Sequence, residues 1–148
     1  MSVLPAGLPA PLPARDGLDS PYWQGTLAHE LRVQRCGACH TWRWGPEWIC
    51  HACRALESDW IAVEPVGRIY SWERVWHPVH PALGEAVPYV IVLVELPQAG
   101  GVRMIGNLVG DPRRPVASGA RVRAVFEDHG DAKPPYTLVQ WKIEEDVQ

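Results

Sequence analysis

Four cysteines within eighteen residues constrain this chain more than any other feature of it. They stand in "CGACHTWRWGPEWICHAC" as two C-x-x-C pairs, Cys36 with Cys39 and Cys50 with Cys53, ten residues apart. A C-x-x-C turn sets two sulfurs on one side of an ion, and a second turn brought back by a hairpin completes a tetrahedron, for which thiolates are the best structural donors. The spacing predicts one metal centre bound by Cys36, Cys39, Cys50 and Cys53. Zinc is the expected ion, and iron held in the rubredoxin manner shares the same four-sulfur geometry. Two disulfides would need an oxidising compartment. The first residues show no charged leader followed by an apolar segment, so the expectation is a cytoplasmic, reduced protein. A thioredoxin-like centre would use one C-x-x-C in a βαβ unit, a pattern not visible here. Four thiolates leave no open coordination position, so the metal is expected to fold a module rather than to activate water. His40 and His51 flank the turns as surface or supporting residues.

At 148 residues and 47% hydrophobic, the chain has enough apolar material for one domain, or for a small module plus a domain. Its longest greasy stretch, 90–94, falls far short of a membrane-crossing helix, so no membrane is expected. The net charge of −3 is spread evenly: residues 1–60 carry five basic and six acidic groups, and residues 61–148 carry nine and eleven. No basic face of the kind that grips a phosphate backbone emerges, so no nucleic acid is expected.

Three regions follow in order. Residues 1–18 open with "MSVLPAGLPAPLPA", uncharged and rich in proline, which reads as an extended, flexible arm. Residues 19–60 hold a short helix and the cysteine ribbon. Asp19 or Ser20 can cap the helix, Pro21 suits its first turn, and Trp23, Leu27 and Leu31 fall on one face. Residues 61–148 read as strands. The stretch 61–76 is long and bent, with Gly67 suggesting a bulge. Four more strands are expected over 87–96, 102–109, 120–127 and 136–143, with Gly100 and Gly101 turning a hairpin and "ARVRAVFE" alternating arginines outward with valines and phenylalanine inward. Five short strands fit an OB-type barrel; a five-stranded sandwich has the same count. The expected fold is mainly β: helix and rubredoxin-like ribbon, then a five-stranded OB barrel.

Catalytic motifs are absent: no nucleophile elbow, Walker loop, dinucleotide fingerprint or H-E-x-x-H. "WHPVHP" places His77 and His80 three apart, each followed by proline. A rigid exposed loop used for binding or structure explains it better than a general base, which needs an orienting partner.

In order and spacing, "LRVQRCGACHTWRWGPEWICHACRA", "GRIYSWERVWHPVHP", "VPYVIVLVELPQAGGVRMIGNLVG" and "GARVRAVFED" resemble one family. It is the zinc-ribbon plus OB-fold family catalogued as domain of unknown function thirty-five, whose members accompany thiolase-fold enzymes. The resemblance runs from about Pro21 to Asp128; the closing "YTLVQWKI" departs from the family's usual ending. It implies a non-catalytic subunit in a hetero-oligomer, two copies of each chain, with a thiolase-fold catalytic subunit. That partner would perform condensation, thiolysis or retro-aldol cleavage on an acyl-CoA, as in steroid, lipid or aromatic degradation. This subunit would stabilise the partner and help form its acyl-CoA site.

Within that reading, eight tryptophans exceed what a small core needs, so some are expected at an interface. Arg43, Trp44 and Trp48 of the ribbon hairpin, with Tyr70, Trp72, Arg74 and His77 of the first barrel strand and its loop, are the expected contacts to CoA or partner. An adenine ring could stack on Trp44 or Trp72, and a phosphate could pair with Arg43 or Arg74. Tyr70 and Trp72 have core spacing as well. A single-stranded nucleic-acid module is the alternative, since barrels of this type stack bases on aromatic side chains.

Overall fold

The computed structural model describes residues 5–144. Helix α1 covers Ser20–Leu27 with Pro21 in its first turn. Asp19 stands at the N-cap, but its carboxylate accepts from the Trp23 indole N–H at 2.7 Å instead of capping the backbone. The helix closes with two crossed bonds, His29 N–H to Thr26 O and Glu30 N–H to Gly25 O, at 2.9 and 2.8 Å. This closure needs a left-handed residue, and His29 supplies it with φ 56° where glycine is usual. The buried face is Ser20, Gly25 and Thr26, with Tyr22 against the core. That corrects the expected Trp23–Leu27–Leu31 face. The helix ends before Leu31, and small residues let its backbone sit close: a Cβ on Gly25 would lie 2.8 Å from the Arg32 side chain.

Three strands follow as an antiparallel sheet in the order β2-β1-β3: β1 Leu31–Cys36, β2 Trp42–Arg43 and β3 Ser58–Val63. Five more strands close a barrel in the order β4-β5-β6-β8-β7: β4 Val66–Val75, β5 Tyr89–Leu96, β6 Val102–Leu108, β7 Arg121–His129 and β8 Tyr136–Ile143. The expected barrel of five strands is thus present. The stretch 61–76 is two strands, not one. The chain changes sheets at Glu64 and Pro65, where proline has no N–H to offer a ladder. The bulge lies at Tyr70, between the pairs Ile69–Val94 and Ser71–Leu93. Gly67 serves close approach instead, since a Cβ there would run into the Val94 side chain and the Glu95 carbonyl. On β7, Val122, Ala124 and Phe126 turn inward while Val125 faces solvent.

One apolar cluster serves both sheets. Ile69, Val90, Val92, Val94, Leu96, Met104, Val122, Val139 and Trp141 come from the barrel, and Leu31 and Val33 join them from β1. Residues 5–11 do not stand free. They line a cleft with His129 and Tyr136, and Pro5 and Leu8 border a second one with Leu83, Tyr89 and Ile91. Residues 1–4 of the expected arm lie outside the described residues. Among the described residues no helix is long and apolar enough to cross a membrane.

The end of α1 is tied to the barrel by a small polar cluster. The His29 Nε2 lies 3.0 Å from both Asp128 oxygens, and the Thr137 hydroxyl donates to Asp128 at 2.7 Å. The Thr137 hydroxyl first, and His29 second, hold the Asp128 carboxyl below the usual carboxylate range. A carboxyl depressed on folding stabilises the fold above that range, and the stabilisation disappears as pH falls through its folded value. The pair is half-exposed, so the effect is small. D128N is expected to lose less stability than the wild type between pH 6 and pH 3, read as the shift in urea midpoint; equal losses would show that the cluster is inert.

Candidate metal centre and contact surface

The two cysteine turns are built alike. In the first, Cys36 N–H donates to Thr41 O at 2.9 Å and His40 N–H to Cys36 O at 3.1 Å; in the second, Cys50 N–H donates to Ala55 O at 2.9 Å and Arg54 N–H to Cys50 O at 2.8 Å. Each turn is completed by a left-handed residue directly after its second cysteine, His40 at φ 61° and Arg54 at φ 65°. β1 delivers Cys36 at its last residue, and the loop from β2 returns the second turn to face it.

The four sulfurs all lie within 4.8 Å of one another, with Cys36–Cys53 at 3.5 Å and Cys39–Cys50 at 3.7 Å. A tetrahedron with bonds of about 2.3 Å has edges of about 3.8 Å, so one cation of zinc's size fits between them. These separations are too long for disulfides, whose sulfurs stand about 2 Å apart. The Thr41 hydroxyl, 3.1 Å from the Cys39 sulfur, and the Thr41 backbone bring the Cys39 thiol down to about 6. At Cys53 the Ala55 backbone donor favours the thiolate, yet the neighbouring Cys39 and Cys36 sulfurs push this thiol up to about 12. Four sulfurs around one ion would leave no open coordination position.

The expected contact residues divide. Trp48, at the tip of the loop between the two turns, is 69% exposed, with Ile49 exposed beside it. Tyr70, at the β4 bulge, is 50% exposed and carries the Arg103 guanidinium over its ring at 3.4 Å. Trp72 lies within β4, opposite Val92 of β5, with Arg74 5.3 Å from its ring centre. Arg74 donates to the carbonyls of Pro112 and Arg114, both at 2.7 Å, and so pins the loop after β6. His77 is in an exposed loop, and the ring nitrogen of His80 accepts from Ala82 N–H at 3.1 Å, a local cap. Arg43 and Trp44 are not at an exposed tip. Arg43 sits in β2, paired with Gln34 of β1, and is 2% exposed; Trp44 packs on the core with its ring 5.0 Å from Tyr22. The reason is length: β2 pairs with β1 at the edge of the ribbon sheet, and the exposed tip lies beyond it at 45–49. Sequence reasoning missed Trp76, exposed with Arg113 5.2 Å from its ring, and Arg103. Both arginines reach their rings across the fold, so no local pattern announces them.

Comparison with known proteins follows the same outline. The family described as "ChsH2, C-terminal OB-fold domain" matches residues 60–127. Among solved structures, a chain of "Ltp2-ChsH2(DUF35) aldolase" is 31% identical with a TM-score of 0.74, over 89% of this chain and 98% of that one. A DUF35-family protein of unknown function from Sulfolobus solfataricus shares the fold, with a TM-score of 0.60 at 13% identity over 87% of each chain. Two curated relatives are longer proteins. The 3-oxo-4,17-pregnadiene-20-carboxyl-CoA hydratase alpha subunit of Mycobacterium tuberculosis is 35% identical, matching 95% of this chain and 46% of its own length. The probable enoyl-CoA hydratase alpha subunit of Thermomonospora curvata is 38% identical over 62% of this chain and 28% of its own length. The chain thus spans less than half the length of these curated relatives. With its paired cysteine turns and closed five-stranded barrel, the chain belongs to the DUF35 family of ribbon-plus-OB-fold proteins.

Proposed function

We propose that this chain is an accessory, non-catalytic subunit of a thiolase-fold enzyme that forms or cleaves carbon–carbon bonds in acyl-CoA esters. The observation that carries the reading is the likeness to a chain of the Ltp2-ChsH2 aldolase, which extends over 98% of that chain. The names of the two curated relatives, both subunits of CoA-ester hydratases, support CoA esters as the substrate class. Zinc held by Cys36, Cys39, Cys50 and Cys53 fixes the ribbon. The ribbon tip at Trp48 docks on the partner, where a large exposed ring on a fixed loop is an effective anchor. Along β4 and the loop behind it, Tyr70, Trp72 and His77, joined by Trp76, Arg103 and Arg113, border the CoA entrance, with rings for adenine and guanidinium groups for phosphate. Arg74 holds the loop that presents Arg113. The same arginine-lidded rings keep a single-stranded nucleic-acid module as the second reading, against a net charge of −3.

Co-expression with a thiolase-fold subunit separates the two readings: a stoichiometric complex free of nucleic acid is expected, and the pure single chain should turn over no acyl-CoA ester. W48A should weaken that complex by about 2 kcal/mol, roughly thirtyfold in Kd, with zinc content unchanged. Full assembly by W48A would move the interface off the ribbon tip. Nucleic acid retained through purification, with no affinity for the thiolase-fold subunit, would favour the second reading.

A further inference from the structure

Among the described residues the buried Arg43 has no hydrogen-bond partner and no ring stacked on it. Its Nε, Nη1 and Nη2 are all shielded from solvent and none makes a hydrogen bond. No aromatic ring lies under it, whereas Arg35, whose Nε is also shielded, rests 5.4 Å from the Trp42 ring centre. Other arginines of the fold have carboxylates or carbonyls: Arg32 has Glu30, Arg103 has Glu95, Arg123 has Glu144 and Glu64. A guanidinium taken out of water with nothing opposite costs several kcal/mol, and such groups persist where a negative charge compensates them.

The sheet register shows where that charge lies. Arg43 pairs with Gln34, and Gln34 stands two residues before Cys36, so all three share one face of the ribbon sheet. Gln34 donates to Ser58, the residue opposite Cys36, and exchanges hydrogen bonds with the backbone of Glu47, in the loop that leads to Cys50. Thr41, two residues before Arg43, touches the Cys39 sulfur at 3.1 Å. Arg43 thus lies on the sheet face that carries Cys36, the first of the four sulfurs. A divalent cation with four thiolates bears a formal charge of −2, and at low dielectric a cation on the same face is attracted without needing a hydrogen bond. Neither solvent nor a docked protein reaches a side chain that is 2% exposed.

We infer that Arg43 is the built-in counter-charge of the tetrathiolate metal centre: a positioning residue that favours the metal-loaded set of sulfurs. The inference rests on reading the cysteines as a metal site, and the wild-type zinc content tests that reading separately. The experiment loads the full-length wild type, R43K, R43M and R43Q with zinc and measures zinc affinity by chelator competition. Far-UV circular dichroism at saturating zinc checks the fold, and the cobalt-substituted forms report the thiolate-to-metal absorption band. Supporting a metal ligand from outside its coordination shell is typically worth ten- to a hundredfold in affinity. R43M and R43Q should bind zinc at least tenfold more weakly at saturable, native-like folds, and R43K should stay near the wild type. Two neutral variants are used so that a failure of one to fold leaves the other. Wild-type affinity in a folded neutral variant, or an R43K as weak as R43M, would overturn the proposal. A wild type without stoichiometric metal would instead remove the metal reading beneath it.

Discussion

C50S is expected to purify without its zinc and with the ribbon unfolded, whereas the wild type should carry one zinc per chain. Cys50 is fully buried at the head of the second turn, and its loss leaves three sulfurs around an ion that structural sites hold with four. A site that does not pre-exist in the unfolded chain contributes its binding energy to folding, about 10–16 kcal/mol for zinc in small finger peptides near pH 7. Loss of the greater part of that is comparable with the whole stability of an ordinary domain, about 5–15 kcal/mol. Chelation of the wild type should reproduce the phenotype. Elemental analysis and thermal melting decide it: a C50S that keeps stoichiometric zinc and the wild-type melting temperature would refute the assignment. Purification with iron and its visible absorption would change the identity of the ion and leave the ligand set intact.

W141A should cost about 3–5 kcal/mol, the largest effect expected of any barrel side chain. Trp141 is fully buried, and its indole fills the space that Gly106 leaves open, where a Cβ would lie 2.8 Å from the ring. It also stands at the closure of the barrel: Leu108–Trp141 is the one strand pair joining β6 to β8, reinforced by Val109 N–H to Trp141 O at 2.8 Å. W141F should be milder, because the indole N–H is buried without an acceptor and its removal leaves no orphaned partner. Urea unfolding of the two variants is the measurement. A loss under about 1 kcal/mol for W141A would mean that the site collapses around the hole.

The ribbon and the strand-built barrel were legible because their signals are local. Cysteine spacing dictates the turns around Cys36 and Cys50, and alternation along 120–127 marks a half-buried strand. Burial of individual aromatics was not. Trp44, Trp48 and Trp141 are equally apolar, and only the packed fold sends the first against Tyr22, the second to solvent and the third to the core. The break at Pro65 was written in the sequence but masked by the β-branched run on either side. Arg43 shows the limit of local reading: a charged residue in a hairpin suggests a surface, and its depth follows from β1 beside it and the loop above it.

Leu31 and Val33 have a consequence for how such a protein can be cut and inherited. They stand in the ribbon sheet, yet they belong to the same buried cluster as the barrel's core residues, so the link at Glu64 and Pro65 is a border in the chain without being a border in cohesion. A fragment starting at Val66 would lose those two side chains from the cluster. A grafted ribbon would bring two bare apolar side chains to its new host. Recombination at this link therefore breaks both halves, and the two pieces travel through evolution, or through an engineer's hands, as one indivisible part.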